Sequence, residues 1–289
     1  MIERKGLWLG VGAYVLWGLL PLYLKLLGGV PALQVLSHRV VWSLLLLAIA
    51  VIVLRKVPAI RAAVRGRTLL LLMASAMLIA INWLVYIWSV QHAHVLEASL
   101  GYFINPLVNV ALGVAVLGER VSRVQKIAVG IAAAGVLALA VVGGGAIGIS
   151  LALAASFGLY GLIRKVAKID ALGGLTVETM LLAPASLAVI LYASATGQGA
   201  FGETRSLDWL LILAGPATAA PLLLFAAAAR RLRYATLGLL QYIAPTLQFA
   251  EAVLLFGEPL RAIHIVTFVA IWTGCALYAW DSWRGARAA

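Results

Sequence analysis

Residues 106–119 read PLVNVALGVAVLGE, and residues 245–258 read PTLQFAEAVLLFGE. Pro106, Gly118, Glu119 and, further on, Gly135 recur as Pro245, Gly257, Glu258 and Gly274, each pair 139 positions apart. Chance matches would not keep one offset, so the chain carries an internal repeat. Upstream, Ala98, Ser99, Leu100 and Gly101 match Ala235, Thr236, Leu237 and Gly238 at an offset of 137, which puts a small insertion before the second proline. Trp17, Gly18 and Lys25 match Phe157, Gly158 and Lys165 at 140.

What repeats is a set of membrane helices. Apolar residues fill 64% of the 289 positions and charged ones 11%, a balance that would coat a water-soluble globule with leucine and valine. Apolar runs of about 20 residues, the length that crosses a bilayer, predict helices over 6–27, 31–54, 69–90, 93–117, 124–143, 146–166, 172–195, 207–229, 235–257 and 260–282. The basic start, Arg4 and Lys5, resembles a signal peptide, but the apolar stretch is too long and is read as the first span. The run Gly143, Gly144, Gly145 leaves a re-entrant pair as an alternative for the fifth and sixth helices, with two full spans favoured.

The predicted fold class is therefore all-α: an integral membrane protein of ten transmembrane helices in one membrane domain, with a first five-helix repeat over 1–144 and a second over 145–289. An odd number of helices per half makes the second copy enter the membrane from the opposite side. Inverted-topology repeats of this kind are typical of secondary transporters, because two related halves can exchange conformations and give alternating access.

The net charge of +12 is spread over many short loops, which points to anionic lipid headgroups as partners rather than to nucleic acid. Arg4, Lys5, Arg55, Lys56, Arg61, Arg65, Arg67, Arg120, Arg123, Lys126, Arg164, Lys165, Lys168, Arg230, Arg231, Arg233, Arg284 and Arg287 fall on one side of the predicted topology, against Lys25, Arg205 and Arg261 on the other. That excess predicts cytoplasmic termini. Cys275 is the single cysteine and has no internal disulfide partner. No glycine-rich phosphate loop followed by lysine is present, and no nucleophile with its base, so neither ATP-driven transport nor an intramembrane enzyme is expected. His92 and His94 flank one residue without the further ligands of a zinc site. The sequence calls for no metal, no cofactor and no required protein partner.

Polar groups within a span need a partner or a function. Ser75, Asn82 and Tyr86 share one face of the third helix. Asn105 and Asn109 lie a turn apart around Pro106, and Gln241, Gln248 and Glu251 lie around Pro245, with Asn109 equivalent to Gln248 in the repeat. Each proline frees a carbonyl at mid-membrane. Arg39 alone among the basic residues lies within a span, with Glu97 and Glu251 at comparable depth. Arg39 with either acid would match a zwitterionic amino acid, whereas a structural ion pair is the alternative. Tyr86, Trp83, Trp88 and Tyr102 suit an aromatic wall, with interfacial anchoring the favoured role for Trp88 and Trp209. His38, His92, His94 and His264 fall near the outer surface, and Glu97 or Glu251 would carry any proton coupling. The candidate substrate-binding residues are thus Arg39, His38, Asn82, Tyr86, Glu97, Tyr102, Asn105, Asn109, Gln241, Gln248 and Glu251.

Several blocks point further: Trp17-Gly18 with Pro21 and Lys25, His38-Arg39 with Trp42-Ser43, Asn82-Trp83 with Tyr86 and Trp88, Glu97 through Pro106, and Gln241 through Thr246. Together they resemble the RarD family of the drug/metabolite transporter superfamily over nearly the whole chain. The resemblance implies a ten-helix EamA-type permease of the bacterial inner membrane, with a cavity between the third, fourth, eighth and ninth helices. It also implies a small-molecule substrate, amino acids being favoured by similarity to YddG-type exporters. A drug or other metabolite permease, or a lipid flippase of the same superfamily, is the alternative.

Overall fold

The computed structural model describes residues 2–118, 121–142, 147–229, 231–232 and 240–288. Among these residues every regular element is helical. The first crossing is α1 (Ile2–Gly18) followed by α2 (Leu20–Leu26). It breaks at Leu19 because Pro21 has no N–H to return to the Trp17 carbonyl. That carbonyl accepts a hydrogen bond from Gln248 Nε2 at 3.1 Å instead. There follow α3 (Ala32–Val53), α4 (Val57–Ala63), α5 (Arg67–Gln91), α6 (Val95–Leu117), α7 (Arg123–Val142), α8 (Ile147–Val166), α9 (Ala171–Ala195), α10 (Arg205–Ala229), α11 (Ile243–Ala250), a π-helical turn (Glu251–Leu255) and α12 (Ala262–Ala288).

Among the described residues eight spans are long and apolar enough to cross a bilayer, and α7 and the Ile243–Leu255 unit complete the ten predicted crossings. The short α4, which buries no residue, was not predicted, nor were the break at Leu19 and the π turn. Gln241, expected within the ninth helix, occupies the turn before α11. Glu119, Arg120, the Gly143–Gly145 run with the repeat boundary beside it, Arg230, Arg233 and the Ala235–Gly238 match lie outside the described residues. Large apolar side chains such as Trp8, Val141, Tyr192 and Leu254 stay exposed, as a lipid-facing surface requires.

The packing obeys a twofold relation between the halves. α6 packs on α8 as α11 packs on α1, α5 on α8 as α10 on α1, and α5 on α9 as α10 on α3. The pairs α3–α9, α6–α11 and α7–α12 each pack a helix on its own repeat equivalent. Glycines show the relation at atomic scale. A β-carbon on Gly18 would meet Leu247 and one on Gly158 would meet Val108, the equivalent of Leu247. Gly135 faces the Thr267 carbonyl and Ala270, while Gly274 faces the Ala128 carbonyl and Ala132. Gly118 and Gly257 end equivalent segments with φ of 66° and 64°, a left-handed conformation that glycine alone adopts at little cost.

The α7–α12 seam gives a direct stability test. A β-carbon at Gly274 would stand 2.5 Å from the Ala128 carbonyl, so Gly274→Leu must push the two helices apart. Overpacking of this kind costs about 1–3 kcal/mol. The expected result is a clearly lower melting temperature of the detergent-purified protein. Gly130→Ala on α7, where nothing lies within 4 Å, should leave it unchanged.

Candidate functional site

Loops 27–31, 92–94 and 196–204 share one face of the bundle, here called the arginine-poor face. Lys56, Arg65, Arg67, Arg164 and Lys168 lie toward the other, the arginine-rich face. Arg39, on α3, is 5% exposed. Its Nε donates to Thr218 Oγ1 on α10 at 2.7 Å, and its guanidinium carbon stands 4.5 Å from the Trp83 ring centre on α5. This grip fixes the guanidinium plane and leaves Nη1 buried without a partner. The Tyr23, Tyr86 and Tyr102 hydroxyls lie within electrostatic reach of it.

Tyr86 is buried and its hydroxyl has no partner, while its ring meets Tyr102 at 5.4 Å and Tyr102 meets Phe157 at 6.1 Å. Glu251 lies within electrostatic range of Tyr86. It is 5% exposed and neither carboxyl oxygen has a partner. Glu251 is also the first residue of the π turn, a distortion that recurs at functional sites. Asn105 Oδ1 and Gln248 Oε1 are buried and unpartnered as well. Buried polar atoms are nearly always satisfied. A set of unsatisfied ones contributed by α3, α5, α6 and α11 is therefore where a polar ligand belongs.

Other predicted residues are engaged elsewhere. Asn82 donates to the Leu153 carbonyl and Ser156 Oγ and accepts from the Tyr102 hydroxyl, joining three helices. Glu97 sits at the arginine-poor end of α6, 3.5 Å from His94 Nδ1, rather than beside Arg39. Among the described residues no carboxylate lies within ion-pair distance of Arg39. His38 stacks on Phe201 of the loop before α10 at 5.5 Å, and Gln34 holds that loop through the Gln198 carbonyl and Ala200 amide. Asn109 is exposed on the α8 side of α6, near Gly161, and Gln241 is half-buried in its turn. Trp88 stacks on His92 and His94, and Trp209 is 64% exposed.

Two acids outside the spans complete the picture. Glu258 accepts hydrogen bonds from the Val95 and Leu96 amides and caps α6 from the opposite repeat. Burial pushes its carboxyl up, against the pull of those two amides. Asp170 caps α9 through the Gly173 amide and pairs with Lys56. Burial pushes its carboxyl up, but the Lys56 ammonium and the Gly173 amide outweigh this and hold it below the usual range.

The most consequential residue not predicted is Glu178 on α9, fully buried. Its Oε1 accepts from Ser75 Oγ on α5 at 2.5 Å and its Oε2 from the Tyr160 hydroxyl on α8 at 3.3 Å. Arg164 Nε stands 3.7 Å from the same carboxylate. A lone acid in an apolar run, 139 positions after Arg39, was the available signal.

Ten helices in an inverted duplicate around buried, unsatisfied polar groups define a multi-pass membrane transporter. Residues 4–141 match the EamA-like transporter family. An uncharacterized transporter of Pseudomonas aeruginosa is 46% identical over 98% of this chain and 96% of its own. Protein RarD of Escherichia coli is 44% identical over 96% of this chain and 95% of its own. The chloramphenicol-sensitive protein RarD of Pseudomonas aeruginosa is 35% identical over 98% of this chain and 96% of its own. A solved crystal structure at 16% identity superposes with a TM-score of 0.62 over 96% of this chain and 97% of that one, a likeness of fold. The chain belongs to the RarD family of EamA-type transporters.

Proposed function

We propose that the protein exports amino acids, aromatic and neutral ones included, across the bacterial inner membrane by alternating access, with the arginine-rich face and both termini in the cytoplasm. The observation that carries the substrate assignment is the unpartnered Arg39 Nη1 together with the unpartnered Glu251 carboxyl, both within electrostatic range of Tyr86. A guanidinium fixed in plane by Thr218 and Trp83 suits a carboxylate, and a free carboxyl suits an ammonium. The Tyr86, Tyr102 and Phe157 rings supply an apolar wall for the side chain. Alternating access is supported by the twofold packing, because the main helix pairs between the halves, α6–α8 and α11–α1, α5–α8 and α10–α1, α5–α9 and α10–α3, are counterparts. The excess of basic residues on one side supports the orientation.

Reconstitution in liposomes with counterflow of labelled amino acids tests the substrate. Neutral and aromatic amino acids should accumulate transiently, and their decarboxylated amines and carboxyl amides much less. Flux of chloramphenicol alone, with no amino acid moving, would overturn the assignment in favour of a drug permease.

A further inference from the structure

The repeat pairs Arg39 with Glu178, 139 positions later. The two share more than an offset. Arg39 is the eighth residue of α3, counted from the arginine-poor face, and Glu178 the eighth of α9, counted from the arginine-rich face. Each reaches from the second helix of its own repeat to the third helix of the other: Arg39 to Thr218 on α10, and Glu178 to Ser75 on α5. The two contacts join equivalent pairs of helices, one near each membrane surface, with Thr218 one turn along α10 from Ala214, the equivalent of Ser75.

The Glu178 contact is the more tightly tied. Tyr160 and Arg164 bring in α8, and Arg164 Nη2 also donates to the Asp170 carbonyl at 3.0 Å, fastening α8 to the start of α9. Lys56 holds Asp170 from the α3–α4 connection. Directly beneath lies an open cleft of about 380 Å³ between the start of α5 and the end of α8, lined by Arg65, Arg67, Leu71 and Lys168 among others. Leu71 is one helical turn below Ser75, and Lys168 one turn beyond Arg164, so the cleft ends at the knot.

We propose that Glu178, with Ser75, Tyr160 and Arg164, forms the gate at the arginine-rich face, and that the Arg39–Thr218 contact is its symmetry mate at the arginine-poor face. This rests on the transport function proposed above. The cleft is the vestibule to that gate. For the path to open there, α9 must part from α5, and the Ser75–Glu178 bond lies across that seam. A buried charge network of this type has two stable arrangements, dry and paired or open and hydrated, and few between. Glu178 is satisfied by protein donors on both oxygens, so it acts as a positioning residue and leaves substrate contact to Arg39, whose Nη1 is free.

The test reads accessibility, not flux. In full-length protein carrying Cys275→Ala, Ile79→Cys places one thiol a turn beyond Ser75 on α5, on the far side of the knot from the cleft. A membrane-impermeant maleimide is applied to right-side-out and inside-out vesicles. Glu178→Gln, and separately the milder Ser75→Ala, should speed labelling from the arginine-rich face about tenfold, the effect of withdrawing about 1.4 kcal/mol from the closed state. Labelling from the other face should not rise. Thr218→Ala should do the reverse. Faster labelling from both faces would mean a loosened bundle, and no change in Ser75→Ala would mean a knot that does not gate; either result overturns the proposal. Labelling as expected in a protein that moves no amino acid would leave the gate standing and remove the substrate assignment instead.

Discussion

Replacing Arg39 with alanine should lower amino-acid flux about a hundredfold while folded protein still reaches the membrane. Removing one partner of a buried, hydrogen-bonded charge pair costs about 2–5 kcal/mol of binding, and each 1.4 kcal/mol is tenfold in affinity. No carboxylate of the described residues pairs with Arg39, so its removal strands no buried counter-charge and the fold loses only the Thr218 bond and the stacking on Trp83. Arg39→Lys separates charge from geometry. An ammonium keeps the positive charge but cannot hold a plane against Trp83 while it presents two nitrogens to a carboxylate. It should recover only part of the flux, with KM raised more than kcat is lowered. Folded yield that falls in step with flux in both variants would make Arg39 structural and remove the basis for a carboxylate site. The amide of a transported amino acid supplies the control. It lacks the group that Arg39 is proposed to hold, so its residual flux should change little in either variant.

Much of this architecture was legible in the sequence because its causes are local. Apolar runs of bilayer length locate the spans, and a shared offset of 139 locates the symmetry, which the glycine contacts at Gly135 and Gly274 repeat in space. What stayed hidden depends on partners distant in the chain. Pro21 frees the Trp17 carbonyl, and nothing nearby in the chain tells that Gln248 fills it. Asn82 and Tyr86 share a helix face and looked alike, yet Asn82 meets three hydrogen-bonding groups while the Tyr86 hydroxyl meets none. Glu97 and Glu251 sat at similar predicted depth, and only packing separates them: Glu97 turns toward His94, and Glu251 is buried with neither oxygen paired. Arg164 reads as a loop cation in the sequence because it closes a span, although its guanidinium folds back onto Glu178.

The second large effect concerns Glu251. A carboxylate buried with neither oxygen paired carries a heavy desolvation cost, and the neutral acid carries far less. Which form is stable therefore depends on whether water or an ammonium group reaches the site. Alternating access changes that condition once in each cycle, which is what proton coupling requires. If Glu251 is the coupling group, wild-type protein in liposomes accumulates amino acid in response to an imposed pH gradient. Glu251→Gln, an isosteric stand-in for the neutral acid, should abolish gradient-driven accumulation and leave counterflow within about threefold of wild type, since the amide oxygen still accepts from an ammonium at roughly half the strength of a carboxylate. Counterflow in the variant should also lose its dependence on pH. Glu251→Asp keeps the acid but withdraws it by one methylene, and should retain coupling with weaker substrate binding. Full gradient response in Glu251→Gln would move the coupling role away from Glu251. A wild-type protein indifferent to the gradient would make export downhill, with Glu251 serving only to receive the ammonium.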